Sequence, residues 1–136
     1  MDDERIASIL KSIEKNLDDV DARFKDGKVP TESDKVLFDA GCMSLFQALN
    51  RSIDLADEVI ASKRLGVPGS YSDSFNILKD ARVISENICN EMKKLVIYRN
   101  LISHEYYNLS PEDVKKVMKK LSVVHDFLED IKRAVR

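Results

Sequence analysis

The chain has 136 residues, of which 43% are apolar and 34% charged, with only four Gly and three Pro. These figures fit one domain, residues 1–136, and exclude a disordered, collagen-like or membrane-spanning chain. The 22 basic and 24 acidic residues leave a formal net charge of −2, which excludes a global positive field for nucleic acid, so any RNA contact must be local. Scarce turn-forming residues and abundant helix formers predict an all-α fold.

Hydrophobic periodicity predicts four to five helices joined by mostly short connections, which is typical of an up-down bundle. The first helix carries apolar residues from Ile6 to Val20 at three- and four-residue steps. The others are predicted over about 32–63, 72–80, 84–106 and 111–135.

Capping signals mark the helix boundaries. The segment Thr31-Glu32-Ser33-Asp34 resembles a capping box before the second helix, with Asp in place of Glu. Ser110 and Pro111 suit the N-cap and first turn of the last helix. Gly41 is the one weak point of the second helix, and it is expected to cost about 1 kcal/mol.

The two cysteines, Cys42 and Cys89, lie within predicted helices and lack the spacing of metal ligands. They are expected to be reduced and buried. The acidic start of the sequence differs from a secretory leader, so a cytoplasmic protein is expected. Nothing in the sequence calls for a cofactor or a metal ion.

The fourth helix breaks the usual amphipathic pattern. Arg99 lies within an apolar stripe, where an unpaired charge is costly. On the opposite side Ile97 and Leu101 form a second apolar strip, which His104 continues. A helix that is apolar on two faces is buried on two faces, and a second copy of the chain is the simplest partner for the outer one.

Each polar residue also has an ordinary structural interpretation. Arg99 could pair with an acid of another helix, such as Asp54 or Glu58. His104 could be a histidine of the core or of an interface, and this interpretation is preferred for His125.

Taken together, residues 99–106 read Arg-Asn-Leu-Ile-Ser-His-Glu-Tyr: an arginine, four residues, a histidine, one residue and a tyrosine. Upstream, Gly66-Val67-Pro68 and the segment from Tyr71 to Leu78 stand in the order typical of one family. The sequence resembles the HEPN superfamily, and within it the HepT-type toxins paired with minimal nucleotidyltransferase (MntA-type) antitoxins. The match spans about residues 31–136.

The resemblance implies a metal-independent endoribonuclease that acts as a homodimer, the toxin of a type VII-like toxin–antitoxin pair. It places Arg99 and His104 in catalysis, with Asn100 as a supporting residue. The chemistry agrees, because a histidine can take the 2′-OH proton and an arginine can bind the phosphate charge. Asn100, one turn before His104, could orient the imidazole or bind a phosphate oxygen.

Helical geometry separates the two catalytic candidates. Five residues along a regular helix place Arg99 and His104 about 140° apart. Three explanations are open: a distorted helix, an arginine side chain that wraps round, or two copies that complete the site across a two-fold axis. The two-fold axis is favoured, because it also explains the second apolar face.

The resemblance implies that the tyrosine of the motif, Tyr106, is the hydroxyl to which the nucleotidyltransferase adds AMP to silence the ribonuclease. Tyr107 is a rival acceptor. On a regular helix Tyr106 lies about 20° from Arg99, so the added phosphate is expected beside that guanidinium.

Pairs of lysines form the concentrated basic patches. They are Lys93 and Lys94 on the fourth predicted helix, and Lys115, Lys116, Lys119 and Lys120 on the fifth. The first two, with Lys115 and Lys116, are candidate RNA contacts, although a solvated helix face is the more common meaning of such runs.

Two other functions stay open. The chain could be a non-catalytic HEPN module that binds nucleotide or substrate for a nucleotidyltransferase, or a purely structural bundle. A binding module can keep the same motif, so the sequence leaves both alternatives standing.

Overall fold

The computed structural model describes residues 2–30 and 34–135, and this part of the chain is all-helical, which confirms the predicted fold class. Six α-helices follow one another: α1 Asp2–Arg23, α2 Lys35–Lys63, α3 Tyr71–Asp80, α4 Glu86–His104, α5 Pro111–Met118 and α6 Leu121–Ala134. The helix α2 is the longest, with 29 residues.

Serine side chains begin three of the helices. Ser70, Ser85 and Ser110 each accept a hydrogen bond from a backbone N–H of the first turn. Ser110 is the N-cap of the helix that begins at Pro111, as predicted, and it also forms a reciprocal capping box with Asp113. At α2 the cap is Asp34, whose carboxylate accepts from Leu37. The other members of the predicted box, residues 31–33, lie outside the described residues.

The end of α4 differs from the prediction. The helix ends at His104 rather than near Tyr106, because Glu105 leaves the helical region with φ −136° and ψ 42°. Tyr106–Asn108 form a separate 3₁₀ turn. Tyr106 therefore does not continue the line of Arg99 along one helix.

The last predicted helix is divided in two. Lys119 and Lys120 form a turn between α5 and α6. No proline or glycine marks this break. The apolar stripe continues across it, since Val117 and Leu121 are both buried.

The core is one continuous cluster in which α1 packs along α2 and α6 packs against α4. Cys42 and Cys89 are free and buried, as predicted. Within the described residues no helix combines the length and the apolar character that crossing a membrane requires.

A close approach between chain segments explains Gly41. A Cβ atom at this position would lie 2.1 Å from Cζ of Phe24, whose side chain is fully buried. The glycine is thus required by packing, whereas the sequence indicates only a small cost in helix propensity.

Candidate active site

The side chain of Arg99 is held on two sides by neutral groups. Its Nε donates to the Asn50 side-chain oxygen of α2 and its Nη1 to that of Asn100, both at 3.0 Å. The guanidinium carbon lies 5.4 Å from the ring centre of Phe46 and 4.8 Å from that of Tyr71. We call these four residues around Arg99 the arginine cluster.

The arginine cluster contains no negative charge. No carboxylate of the described residues forms an ion pair with Arg99. The alternative pairing of Arg99 with Asp54 or Glu58 is not found, because the Glu58 carboxylate binds Arg5 at 2.9 Å and Asp54 forms no ion pair with Arg99. The hydrogen bonds and the rings fix the orientation of the guanidinium, and its positive charge stays available to an anion.

Asn100 and His104, the next two polar members of the motif, lie apart from one another. Asn100 accepts from Arg99, so it positions the arginine rather than the imidazole. His104 is the last residue of α4 and is exposed.

The helix α4 is uninterrupted from Glu86 to His104. Arg99 and His104 therefore point about 140° apart on it. Since Arg99 is bound to Asn50 of α2, its side chain does not wrap round towards His104. One copy of the chain thus leaves the two side chains on different faces.

Tyr106 reaches back to the beginning of α2. Its hydroxyl donates a short hydrogen bond to Oδ1 of Asp39. Lys35 also donates to this oxygen at 3.0 Å, and its Nζ lies 5.5 Å from the tyrosine ring centre. The thiol of Cys42 lies beside the hydroxyl. We call Lys35, Asp39 and Cys42 with Tyr106 the tyrosine cluster.

Burial and hydrogen bonding determine which groups of the tyrosine cluster are neutral and which is ionised. Burial, and then the bond to Asp39, raise the pKa of the Tyr106 phenol. The bonds from Tyr106 and Lys35 hold the pKa of the Asp39 carboxyl below its usual value. Burial raises the pKa of the Cys42 thiol to about 12. At neutral pH the cluster thus holds a neutral phenol, a neutral thiol and an ionised carboxylate.

The two clusters are separate. Tyr106 binds Asp39, and Arg99 binds Asn50, which lies eleven residues further along α2, about 16 Å at the rise of an α-helix. The expectation that a phosphate on Tyr106 lies directly beside Arg99 is therefore wrong, because it assumed that α4 continues through Tyr106.

A groove joins the clusters along the surface between α2 and α4. Its volume is about 420 Å³, and its lining residues are Asp39, Met43, Phe46, Ile102, Ser103 and Tyr106. It begins at the Tyr106–Asp39 bond and reaches Phe46, whose ring contacts Arg99.

The candidate RNA contacts differ in how strongly they are engaged. Lys93 donates to the side-chain oxygen of Asn76 at 3.1 Å. Lys94 pairs with Glu91 at 2.6 Å, and Lys115 with Glu112 at 3.1 Å. Lys116 is exposed on α5.

Sequence reasoning missed the residues of α2 that bind the motif. Asp39, Met43, Phe46 and Asn50 follow one another at steps of four, three and four residues. This spacing places them on one face of a helix, and two polar residues beside apolar ones on that face are the signal that could have identified them.

No group of three or more His, Cys, Asp or Glu side chains among the described residues could hold a metal ion.

The family model of HepT-like ribonucleases matches residues 5–131. The mRNA nuclease HepT of Shewanella oneidensis is 28% identical over 131 residues, which cover 96% of this chain and 90% of that protein.

Solved structures agree with this similarity. The tri-AMPylated HEPN toxin of Shewanella oneidensis, in complex with its MNT antitoxin, superposes with a TM-score of 0.82 at 26% identity, over 94% of this chain and 96% of that chain. The cytosolic protein YutE of Bacillus subtilis, of unknown function, has a TM-score of 0.74 at 23% identity, over 92% and 89% of the two chains. Because its identity is so low, the second match indicates a shared fold and nothing more.

Proposed function

Because this chain belongs to the HepT-like ribonuclease family, we propose that it is a metal-independent endoribonuclease, the toxin of a pair with a nucleotidyltransferase. The observation that carries the proposal is the arginine cluster. Arg99 is oriented by two amide oxygens and two rings and forms no ion pair with the described carboxylates. A structural arginine in this position would be expected to bind a carboxylate.

The proposed reaction is cleavage of RNA by its own 2′-hydroxyl. His104 takes the proton as the 2′-oxygen attacks the neighbouring phosphorus, and the bond to the 5′-oxygen breaks. Arg99 binds the non-bridging phosphate oxygens, on which charge develops. A histidine titrates close to neutral pH, so it suits the proton transfer.

A homodimer completes the proposed site. Arg99 and His104 diverge on a regular α4, so a single copy cannot close both on one phosphate. The side chain of Ile97 is 67% exposed on the outer strip of α4, next to Leu101 and His104. We place the two-fold axis near Arg99 and His104, in the last turns of α4, so that the second copy covers the Ile97 strip and the two copies together supply the arginine and the histidine.

Light scattering tests the dimer. The chain should be dimeric at micromolar concentration, and Ile97→Glu should be monomeric and inactive because it places a charge in the interface. Val67→Glu is the matched control, since Val67 is an exposed apolar residue of the loop before α3. A monomeric and active wild-type chain would contradict the dimer.

The catalytic roles are tested by cleavage of a mixed RNA in the presence of EDTA. Arg99→Ala and His104→Ala should each lose about 10²–10⁴-fold in rate, the usual contribution of a proton-transfer or charge-binding group. His125→Ala is the control, because His125 is an exposed histidine of α6. Full inhibition by EDTA, or a His104→Ala protein as active as wild type, would contradict the mechanism, whereas absence of cleavage by the wild-type chain would favour a non-catalytic module.

The proposed control of the toxin is AMP addition to Tyr106 by the antitoxin. The AMP-bearing relative supports this part of the proposal, as does the position of Tyr106 at one end of the groove. A nucleotide that starts at Tyr106 and follows the groove reaches Phe46, and it obstructs the approach of an RNA phosphate to Arg99.

The acceptor is identified by intact mass and peptide mapping after reaction with the cognate nucleotidyltransferase and ATP. AMP should be found on Tyr106, and Tyr106→Phe should remain unlabelled and toxic. Tyr107→Phe is the matched control, because the side chain of Tyr107 is 89% exposed. A label on Tyr107 of the wild-type chain would mean that Tyr107, and not Tyr106, is the AMP acceptor.

The lysines define the RNA path in this proposal. Lys116 has an exposed ammonium group, whereas Lys93, Lys94 and Lys115 already bind protein groups. Lys116→Gln should therefore weaken RNA binding more than Lys115→Gln, and the loss should shrink as salt increases.

A further inference from the structure

The first turns of α2 surround the Tyr106 hydroxyl with groups that no RNA-cleaving step uses. Asp39 accepts a hydrogen bond from the hydroxyl, and Lys35 donates to the same carboxylate oxygen at 3.0 Å. The carboxylate also lies at the mouth of a groove that is otherwise lined mainly by apolar side chains. An ionised carboxylate that is hydrogen-bonded to a half-buried phenol is an arrangement found at functional sites.

We propose that Asp39 is the proton acceptor for AMP transfer to Tyr106, and that Lys35 binds the negative charge of the transferred phosphate. This inference rests on the proposed function, in which Tyr106 is the nucleotide acceptor. In the step, Oη of Tyr106 forms a bond to the α-phosphorus of ATP and pyrophosphate leaves with the electrons of the broken P–O bond. The phenolic proton passes to Oδ of Asp39.

The direction of the hydrogen bond prepares the nucleophile. A phenol has one proton and carries its lone pairs on the other side of the oxygen. Because the Tyr106 hydroxyl donates its hydrogen bond to Asp39, the lone pairs of its oxygen are free to meet an electrophile that approaches from another side. The groove lined by Tyr106 and Asp39 provides room on that surface.

Lys35 is suited to the phosphate. Its Nζ stands 5.5 Å from the ring centre of Tyr106, and its side chain is 70% exposed. The ammonium can therefore turn from Asp39 to a phosphate oxygen without losing a buried contact. When Asp39 takes up the proton, its bond to Lys35 weakens, and this frees the ammonium as the new phosphodiester forms.

The protonation states indicate why a base is required. The pKa of Tyr106 is raised, so phenolate is scarce at neutral pH. The neighbouring Cys42 is itself a neutral thiol and cannot accept the proton. Lys35, Asp39 and Cys42 are the titratable groups that act on the phenol, and Asp39 is the one that is ionised and able to take up a proton.

The test measures AMP transfer to the full-length chain by its cognate nucleotidyltransferase with ATP, at a series of pH values. Asp39→Asn keeps an oxygen acceptor for the hydroxyl and cannot take its proton. The rate constant kcat should fall about 100-fold or more, with KM for the chain little changed. The wild-type rate should be level from pH 6 to 8, whereas the Asp39→Asn rate should rise tenfold per pH unit, because hydroxide must replace the base.

Controls separate this role from a structural one. Asp34→Asn removes the same charge from the same end of α2, and Asn is an equally good N-cap, so its rate should equal that of wild type. Asp39→Glu should restore part of the activity, and Lys35→Gln should raise KM for ATP. Thermal unfolding verifies that each variant is folded.

Two failures are distinguishable. If Tyr106 is labelled and Asp39→Asn reacts as fast as wild type, or with the same level pH profile, the inference is wrong and the proposed function stands. If the wild-type chain is labelled elsewhere or not at all, the proposed control of the toxin fails and the inference fails with it.

Discussion

The face of α2 that contacts the motif carries one polar side chain towards each end, Asn50 and Asp39, and the two bind their partners in opposite ways. Asn50 is neutral and holds a cation, Arg99, without cancelling its charge. Asp39 is ionised and holds a neutral phenol, Tyr106, by its proton. The arginine cluster is thus prepared to bind an anion, whereas the tyrosine cluster is prepared to lose a proton.

The largest expected effect comes from giving the arginine cluster the chemistry of the tyrosine cluster. Asn50→Asp keeps the shape of the side chain and adds a carboxylate against Arg99. The resulting ion pair should compete with the RNA phosphate and lower cleavage about 100-fold or more, the scale of losing a charge-binding group. Single-turnover cleavage of RNA measures the loss, and thermal unfolding should show no loss of stability.

A matched charge on the same helix provides the control. Gln47 binds Asn16 rather than Arg99, so Gln47→Glu adds a negative charge that does not contact the guanidinium. Its cleavage rate should stay near that of wild type. Equal losses in the two variants would mean that general charge repulsion, and not the pairing of Arg99, causes the effect.

The packing that positions the two clusters also differs. The tyrosine end of α2 depends on Gly41, against which the Phe24 ring packs. Gly41→Ala should lower the free energy of unfolding by about 1–3 kcal/mol, as overpacking does, although alanine favours the helix. Chemical denaturation measures it. Gly69→Ala is the control, since its Cβ would be 3.8 Å from Asp73, an ordinary contact.

The rings of the arginine cluster should have a smaller effect. Tyr71→Leu removes one aromatic face from Arg99 while keeping an apolar side chain. A cation–π contact contributes about 0.5–2 kcal/mol, so cleavage should fall about 2- to 30-fold. Tyr71→Phe keeps the ring and should retain nearly full activity. If Phe is as defective as Leu, the hydroxyl of Tyr71 and not its ring is what matters.

Local patterns in the sequence were enough to predict much of this structure. Apolar periodicity predicted the helices, and Ser110 was found to be the N-cap that the sequence indicated. The end of α4 was missed because Glu105 is neither proline nor glycine, so nothing in the local sequence marks its departure from the helix. The break before Leu121 was missed for the same reason.

The candidate site divides in a similar way. The spacing of the motif indicated Arg99, His104 and Tyr106 as candidates, although Tyr106 lies beyond the end of α4. Their partners lie about 50 to 70 residues earlier on α2, as the separations of 49 between Arg99 and Asn50 and 67 between Tyr106 and Asp39 indicate. Such contacts depend on how two helices pack, and a single sequence carries no direct signal for that register.

The smallest expected effect is on acid stability, and it tests directly that Asp39 is ionised whereas Asn50 is neutral. The pKa of Asp39 is lower in the folded chain than its unfolded value near 3.9, so its stabilising contribution is full above about pH 4 and is lost as pH falls through the folded pKa. The unfolding temperature of wild type should exceed that of Asp39→Asn at pH 7, and the gap should narrow below pH 4. Tyr106→Phe removes the main donor to Asp39, so in that background the narrowing should be weaker. Asn50 has no proton to gain, and the unfolding temperature of Asn50→Ala should stay offset from wild type by the same amount across this range. Parallel melting curves for wild type and Asp39→Asn down to pH 3 would contradict an ionised Asp39, and the difference between the two clusters would then lie in shape rather than in charge.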